Sequence, residues 1–272
     1  MKIIDFRARP RTPEYMKSFK TESRKFTLRK IGYFPEDAPL DTFLKELDEA
    51  GIVNAVFTGR DLERATGWRT TSEYIAEVCE QSNGKLIGVA GLDPLRKDPL
   101  LEIEKAMKQG LRGISLDPAA TRVLPDDRRM YPIYEKCREL GAMVFFTQGP
   151  APTPGTYMKF GSPLPIDEAA TDFPEVTFVV SHGCWPWVAE LIGVVWRHDN
   201  VFFETSIYHF MPGSDMYWEA ANTIVPDKLL FATAHPFHPI KETVERFLKL
   251  PLKPDVLEKV MYSNAARLLK LI

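Results

Sequence analysis

"IIDFRARPRTP", residues 3–13, is the stretch that decides the fold. Apolar and charged positions alternate as far as Arg9, and Pro10 stops the run. A period of two means a strand, with Asp5, Arg7 and Arg9 on one face. The turn after that strand is more telling than the strand itself. An open doubly wound sheet that binds a nucleotide carries a glycine-rich phosphate loop directly after its first strand, and "RARPRTP" has no glycine.

Seven further apolar runs share this character: 53–59, 86–93, 113–118, 143–149, 176–183, 201–206 and 229–234. Between them lie segments with helical apolar spacing. "PLDTFLKELDEAG" ends at Gly51, "TSEYIAEVCEQSNG" opens on Thr71 and Ser72, "LLEIEKAMKQG" ends at Gly110 and "YPIYEKCRELG" ends at Gly141. Polar caps at the front and glycine at the back are helix boundaries. Eight βα units with apolar strands predict a parallel sheet closed into an α/β (β/α)8 TIM barrel, a single domain over residues 1–272. The first connection, about 10–36, is read as a basic loop over the strand ends, where barrels of this kind carry their chemistry. Up to Lys30 it holds Arg11, Lys17, Lys20, Arg24, Lys25 and Arg29 against Glu14 and Glu22.

The 272 residues are 44% hydrophobic and 26% charged, as in an ordinary globular protein, and the net charge of −2 gives no general attraction to nucleic acid. The chain has no run of about 18 apolar residues, so no membrane span is expected. "MKIIDF" has no apolar signal core, so a cytoplasmic location is expected. Cys79, Cys137 and Cys184 form no C-x-x-C pair, which argues against a disulfide framework or a structural zinc site. Self-association is left open.

Polar residues gather at the ends of the expected strands: Asp5, Arg7 and Arg9; Arg60 and Asp61; Asp93; Ser115 and Asp117; Thr147 and Gln148; Ser181 and His182; Glu204 and Ser206; His235 and His238. Such convergence marks a barrel active site. Strand one, "SHGCWPW" (181–187), "LLFATAHPF" (229–237) and the closing "YSNAARLLKL" (262–271) together resemble the amidohydrolase-related family of metal-dependent hydrolases that contains aminocarboxymuconate semialdehyde decarboxylase. The resemblance covers essentially the whole chain and implies a distorted barrel. It also shows departures. The two strand-one histidines of that family fall on Arg7 and Arg9, its strand-five histidine falls near Thr147, and its strand-eight aspartate falls on Ala234. A guanidinium has no lone pair to give a metal.

The expectation is therefore an enzyme without a metal or other cofactor, hydrolysing a lactone or ester, or decarboxylating a small anionic, carboxylate-bearing substrate. Arg7 and Arg9 would form a fork for a carboxylate or oxyanion, oriented by Asp5. His182 would be the general base, a role the resemblance supports, and His235 a second acid or base. Thr147 and Gln148 would hydrogen-bond substrate. Glu204 would pair with an arginine or act as an acid or base. Two alternatives stand beside this. One is a metal such as zinc held by His182, His235, Asp5 and Glu204, and the other is a noncatalytic binder of an anionic metabolite.

Overall fold

The computed structural model describes residues 1–150 and 152–272. All eight expected runs form strands of one parallel sheet: β1 (Ile3–Asp5), β2 (Ile52–Thr58), β3 (Leu86–Gly91), β4 (Gly113–Leu116), β5 (Met143–Thr147), β6 (Phe178–Ser181), β7 (Val201–Glu204) and β8 (Leu229–Leu230). They neighbour one another in chain order. The ends of the last and first strands are joined by backbone bonds, Phe6 N to Phe231 O (2.8 Å), Ala234 N to Arg7 O (2.9 Å) and Arg9 N to His235 O (3.0 Å). The fold is a nearly closed (β/α)8 TIM barrel, a single domain.

Side chains of the strands divide between two cores. Ile4, Phe6, Val56, Val89, Phe145, Val179 and Leu230 fill the barrel, and Ala265, Ala266 and Leu269 join them at its base. Ile3, Phe57, Ile114, Phe146, Phe178, Val201 and Phe231 face outward beneath the helices. The boundary signals act as expected. The Thr71 side chain accepts the Tyr74 amide at the start of helix Ser72–Gln81, and Gly141 closes helix Tyr131–Leu140 with φ at +62°. The cysteines are free. Among the described residues, no helix is long and apolar enough to cross a membrane.

The structure departs from the sequence reading in three places. The alternation breaks after Phe6, because Asp5 Oδ1 accepts the Arg7 amide at 3.0 Å and bends the chain. Phe6 stacks on Phe145 inside the barrel, while the next residue, Arg7, reaches Ser181 and Thr147. Residues 10–36 are not a loop but largely helical: Pro13–Met16, a 3-10 turn Lys17–Lys20, and Glu22–Ile31, capped by Thr21 and ended by Gly32 with φ at +79°. A short antiparallel hairpin, Asp61–Leu62 with Trp68–Arg69, comes after β2; two-residue strands leave no period to read, and the sequence gives no sign of it.

Candidate active site

The strand ends and the helix Glu22–Ile31 enclose a cavity lined by Arg9, Arg24, Arg60, Gln148, His182 and Tyr208, with three threonines (Thr27, Thr147 and Thr153) and several apolar side chains completing its wall.

His182 directly follows β6 and sits in the left-handed region at φ +66°. Its amide donates to Glu204 Oε1 (3.2 Å), and the other oxygen of Glu204 accepts the Ser206 amide (2.6 Å). The ring Nδ1 lies 2.9 Å from the Ser206 carbonyl oxygen, which can only accept, and 3.0 Å from Ser206 Oγ, which can accept or donate. With the ring proton on Nδ1 both contacts are satisfied, and Nε2 carries the lone pair. Burial, then the charge of Arg7, holds the imidazole well below the ordinary histidine range. At neutral pH this is an uncharged base beside the cavity.

The guanidiniums differ in what they touch. Arg7 lies beneath the cavity: its terminal nitrogens donate to Ser181 Oγ (2.8 Å) and Thr147 Oγ1 (3.0 Å), and Nε is 3.9 Å from Glu204 Oε1. Arg9 donates from Nε to the Thr58 carbonyl (3.0 Å), while one terminal nitrogen is buried without a partner among the described residues. Arg60 grips the Asp117 carboxylate through Nε (3.2 Å) and a terminal nitrogen. Burial lowers its pKa, but Asp117 more than offsets this and the result is raised. Arg24 reaches in from the helix Glu22–Ile31 and lies 5.1 Å from the ring centres of Phe19, Trp68 and Phe237. Burial, then the charge of Arg60, pushes it down to about 9, still cationic at neutral pH. Tyr208 stacks on Trp185 at 5.5 Å and presents an aromatic wall.

The expected site is thus brought together only in part. Arg9, Thr147, Gln148 and His182 line the cavity. Arg7 does not, so the expected two-arginine fork is not formed: its two terminal nitrogens are engaged by Ser181 and Thr147. Asp5 orients no guanidinium. Its carboxylate accepts from Thr233 Oγ1 (2.6 Å) and from the Thr233 and Arg7 amides, which ties the first strand to the last unit. Glu204 pairs with Arg7 at long range and holds the backbone on both sides of the His182 ring. His235 faces a different cavity, with Arg11, Tyr33 and Glu46; its ring stacks on Phe43 and its Nδ1 is 3.2 Å from the His238 carbonyl oxygen. His238 is half-buried and caps nothing: helix Ile240–Phe247 has no side-chain cap. Gln148 donates weakly to Ser162 O (3.5 Å), and its carbonyl oxygen is buried without a partner among the described residues.

The residues do not fit a divalent metal. Two of the positions the resemblance would use are guanidiniums, Ala234 offers no donor, and Thr147 Oγ1 is engaged by Arg7. Among the described residues, no three His, Cys, Asp or Glu side chains are grouped to hold an ion, and so Asp5, Glu204, His182 and His235 form no ligand set.

An amidohydrolase family model matches residues 5–271. The chain belongs to the amidohydrolase family. Its fold is similar to that of an uncharacterised TIM-barrel protein, Bb4693 from Bordetella bronchiseptica, at 33% identity over 99% of each chain with a TM-score of 0.87. Two more distant structures share the fold. A 2,6-dihydroxybenzoate decarboxylase from Rhizobium is 16% identical, with a TM-score of 0.71 over 100% of this chain and 99% of the other. A 4-oxalomesaconate hydratase from Rhodopseudomonas palustris is 23% identical, with a TM-score of 0.68 over 98% and 95%. No curated protein matches the chain. Family membership is consistent with an amidohydrolase-like enzyme.

The sequence assigns no role in the site to Arg24, Arg60 or Tyr208, although Arg60 falls among the strand-end residues. Arg60 carried a signal, its place after β2 opposite Asp117 after β4. Arg24 carried none, for nothing in the basic run distinguishes it from Lys25 or Arg29.

Proposed function

We propose that this protein is a metal-independent hydrolase of a small carboxylate-bearing lactone or ester. The observation that carries the reading is the buried His182 ring, with Nδ1 held by Ser206 and Nε2 unengaged among the described residues, in a cavity walled by the guanidinium of Arg9. His182 Nε2 takes a proton from water as the oxygen adds to the substrate carbonyl carbon. Charge develops on the carbonyl oxygen, where Arg9 or Arg60 stabilises it. The C–O bond then breaks, and the imidazolium returns the proton to the leaving oxygen. A lactone or ester suits this equipment better than an amide, since an alkoxide leaves with less help.

The distant decarboxylases raise a second reaction. A guanidinium clamped on the carboxylate that must leave would stabilise the ground state more than the transition state. The arginines therefore favour a carboxylate that is retained, and with it hydrolysis.

His182→Asn tests the reading. Asparagine tolerates the left-handed φ that His182 occupies, so the fold survives, but it cannot serve as a base. Hydrolysis of carboxylated lactones should fall about 100-fold or more in kcat with little change in KM. Unchanged turnover, or release of CO2 in place of hydrolysis, would sink the proposal.

A further inference from the structure

Four arginines surround the site, and their charges are not equally answered. Arg7 has Glu204 at 3.9 Å and Arg60 has Asp117. Arg9 and Arg24 have no carboxylate within ion-pair distance among the described residues. The Arg24 guanidinium donates no hydrogen bond to them either; three aromatic rings hold it by cation–π attraction, which fixes its place and leaves its N–H groups unspent. Arg24 is 6% exposed and Arg9 1%. Two buried, uncompensated cations on one cavity are costly unless something anionic neutralises them.

We propose that Arg24 is a second anion-binding residue of this site and that the substrate is a dicarboxylate, one carboxylate at Arg9 and the other at Arg24. This rests on the carboxylate-binding reading above and adds the second charge. The two cations arrive on separate supports. Arg9 follows β1 and is pinned to Thr58 at the end of β2, whereas Arg24 hangs from the helix Glu22–Ile31 between the hairpin ring of Trp68 and Phe237 beyond β8. The wall they share includes Ile31, Ile207, Tyr208 and Phe237, an apolar and aromatic lining suited to a carbon skeleton with an anionic group on two sides. A single phosphate would engage the cations but leave that lining without a partner.

Isothermal titration calorimetry with isophthalate, benzoate and inorganic phosphate separates the cases. The unsubstituted protein should bind isophthalate about tenfold or more tightly than benzoate. Arg24→Gln should erase that gain, so that within the variant isophthalate binds no more tightly than benzoate, and Arg24→Lys, which keeps the charge, should retain most of it. The comparison of isophthalate with benzoate in the unsubstituted protein stands even if a variant fails to fold. Equal affinity for the two acids, or an Arg24→Gln protein that still prefers isophthalate, overturns the second charge and leaves the single-carboxylate reading intact. Phosphate binding more tightly than isophthalate overturns the dicarboxylate. Failure of both organic acids to bind removes the carboxylate at Arg9 as well.

Discussion

At the residue scale, the chemistry depends on which polar atoms are already engaged. Arg7 and Arg9 are two residues apart in sequence, yet both terminal nitrogens of Arg7 are engaged by Ser181 and Thr147, while Arg9 retains a terminal nitrogen without a partner among the described residues. Asp5 shows the same logic with a measurable consequence. Burial, opposed by its bonds to Thr233, lifts its carboxyl from 3.8 to about 6. The folded state therefore holds this proton more tightly than the unfolded chain does. Stability from this group is greatest below pH 3.8, falls as the pH rises toward 6, and above that the whole penalty, at most about 3 kcal/mol, is in force. In Asp5→Asn the amide oxygen can still accept the two backbone N–H groups and the amide nitrogen can donate to Thr233. The variant should melt higher than the unsubstituted protein at pH 8 and about equally at pH 4. A lower melting temperature at pH 8 would mean the charge itself holds the barrel seam.

At the element scale, the site is made by pieces that interrupt the regular βα pattern. The bend after β1 turns Arg7 toward the barrel axis, the helix Glu22–Ile31 supplies Arg24, and the hairpin supplies Trp68. β3 contributes by being small: a Cβ placed on Gly91 would run into the backbone of Arg60. Gly91→Ala should therefore push Arg60 and its partner Asp117 out of place. The expected cost is about 1–3 kcal/mol of stability together with weakened benzoate binding. Chemical denaturation and calorimetry on the same variant check both. Normal binding with normal stability would show that the Arg60 turn yields freely.

Across the whole molecule, histidines held neutral set the acid limit. Burial pushes His209 and His235 down to about 3, and His182 lies well below its ordinary range. Each is protonated in the unfolded chain below about pH 6.5 but not in the fold, so each contributes stability that is present above that pH and is lost as the pH falls. Asp5 works in the opposite sense between about 6 and 3.8. His238 is lowered as well, so the histidines outweigh Asp5 and leave a net loss of stability as the pH falls through that window. The melting temperature should drop clearly between pH 7 and pH 5, before most carboxylates titrate. A flat profile over that interval would contradict the burial of these rings.

The barrel was legible in the chain because its signals are local: eight apolar runs, helices stopped by Gly51, Gly110 and Gly141, and no glycine after the first strand. The resemblance to the amidohydrolases was likewise carried by short motifs, and with it came the replacement of metal-ligand positions by Arg7 and Arg9. Within the site, His182 and Arg9 could be picked out because strand ends converge by topology. The partners of those side chains could not, since Ser181 lies 174 residues from Arg7 and Thr233 lies 228 from Asp5. Nor could the sequence tell Arg24 from the other cations of its run, for only packing against Phe19, Trp68 and Phe237 turns it inward. Periodicity and caps act between near neighbours and specify the scaffold. Which buried charges are answered and which are left open is a sum over distant contacts, and tertiary structure alone decides it.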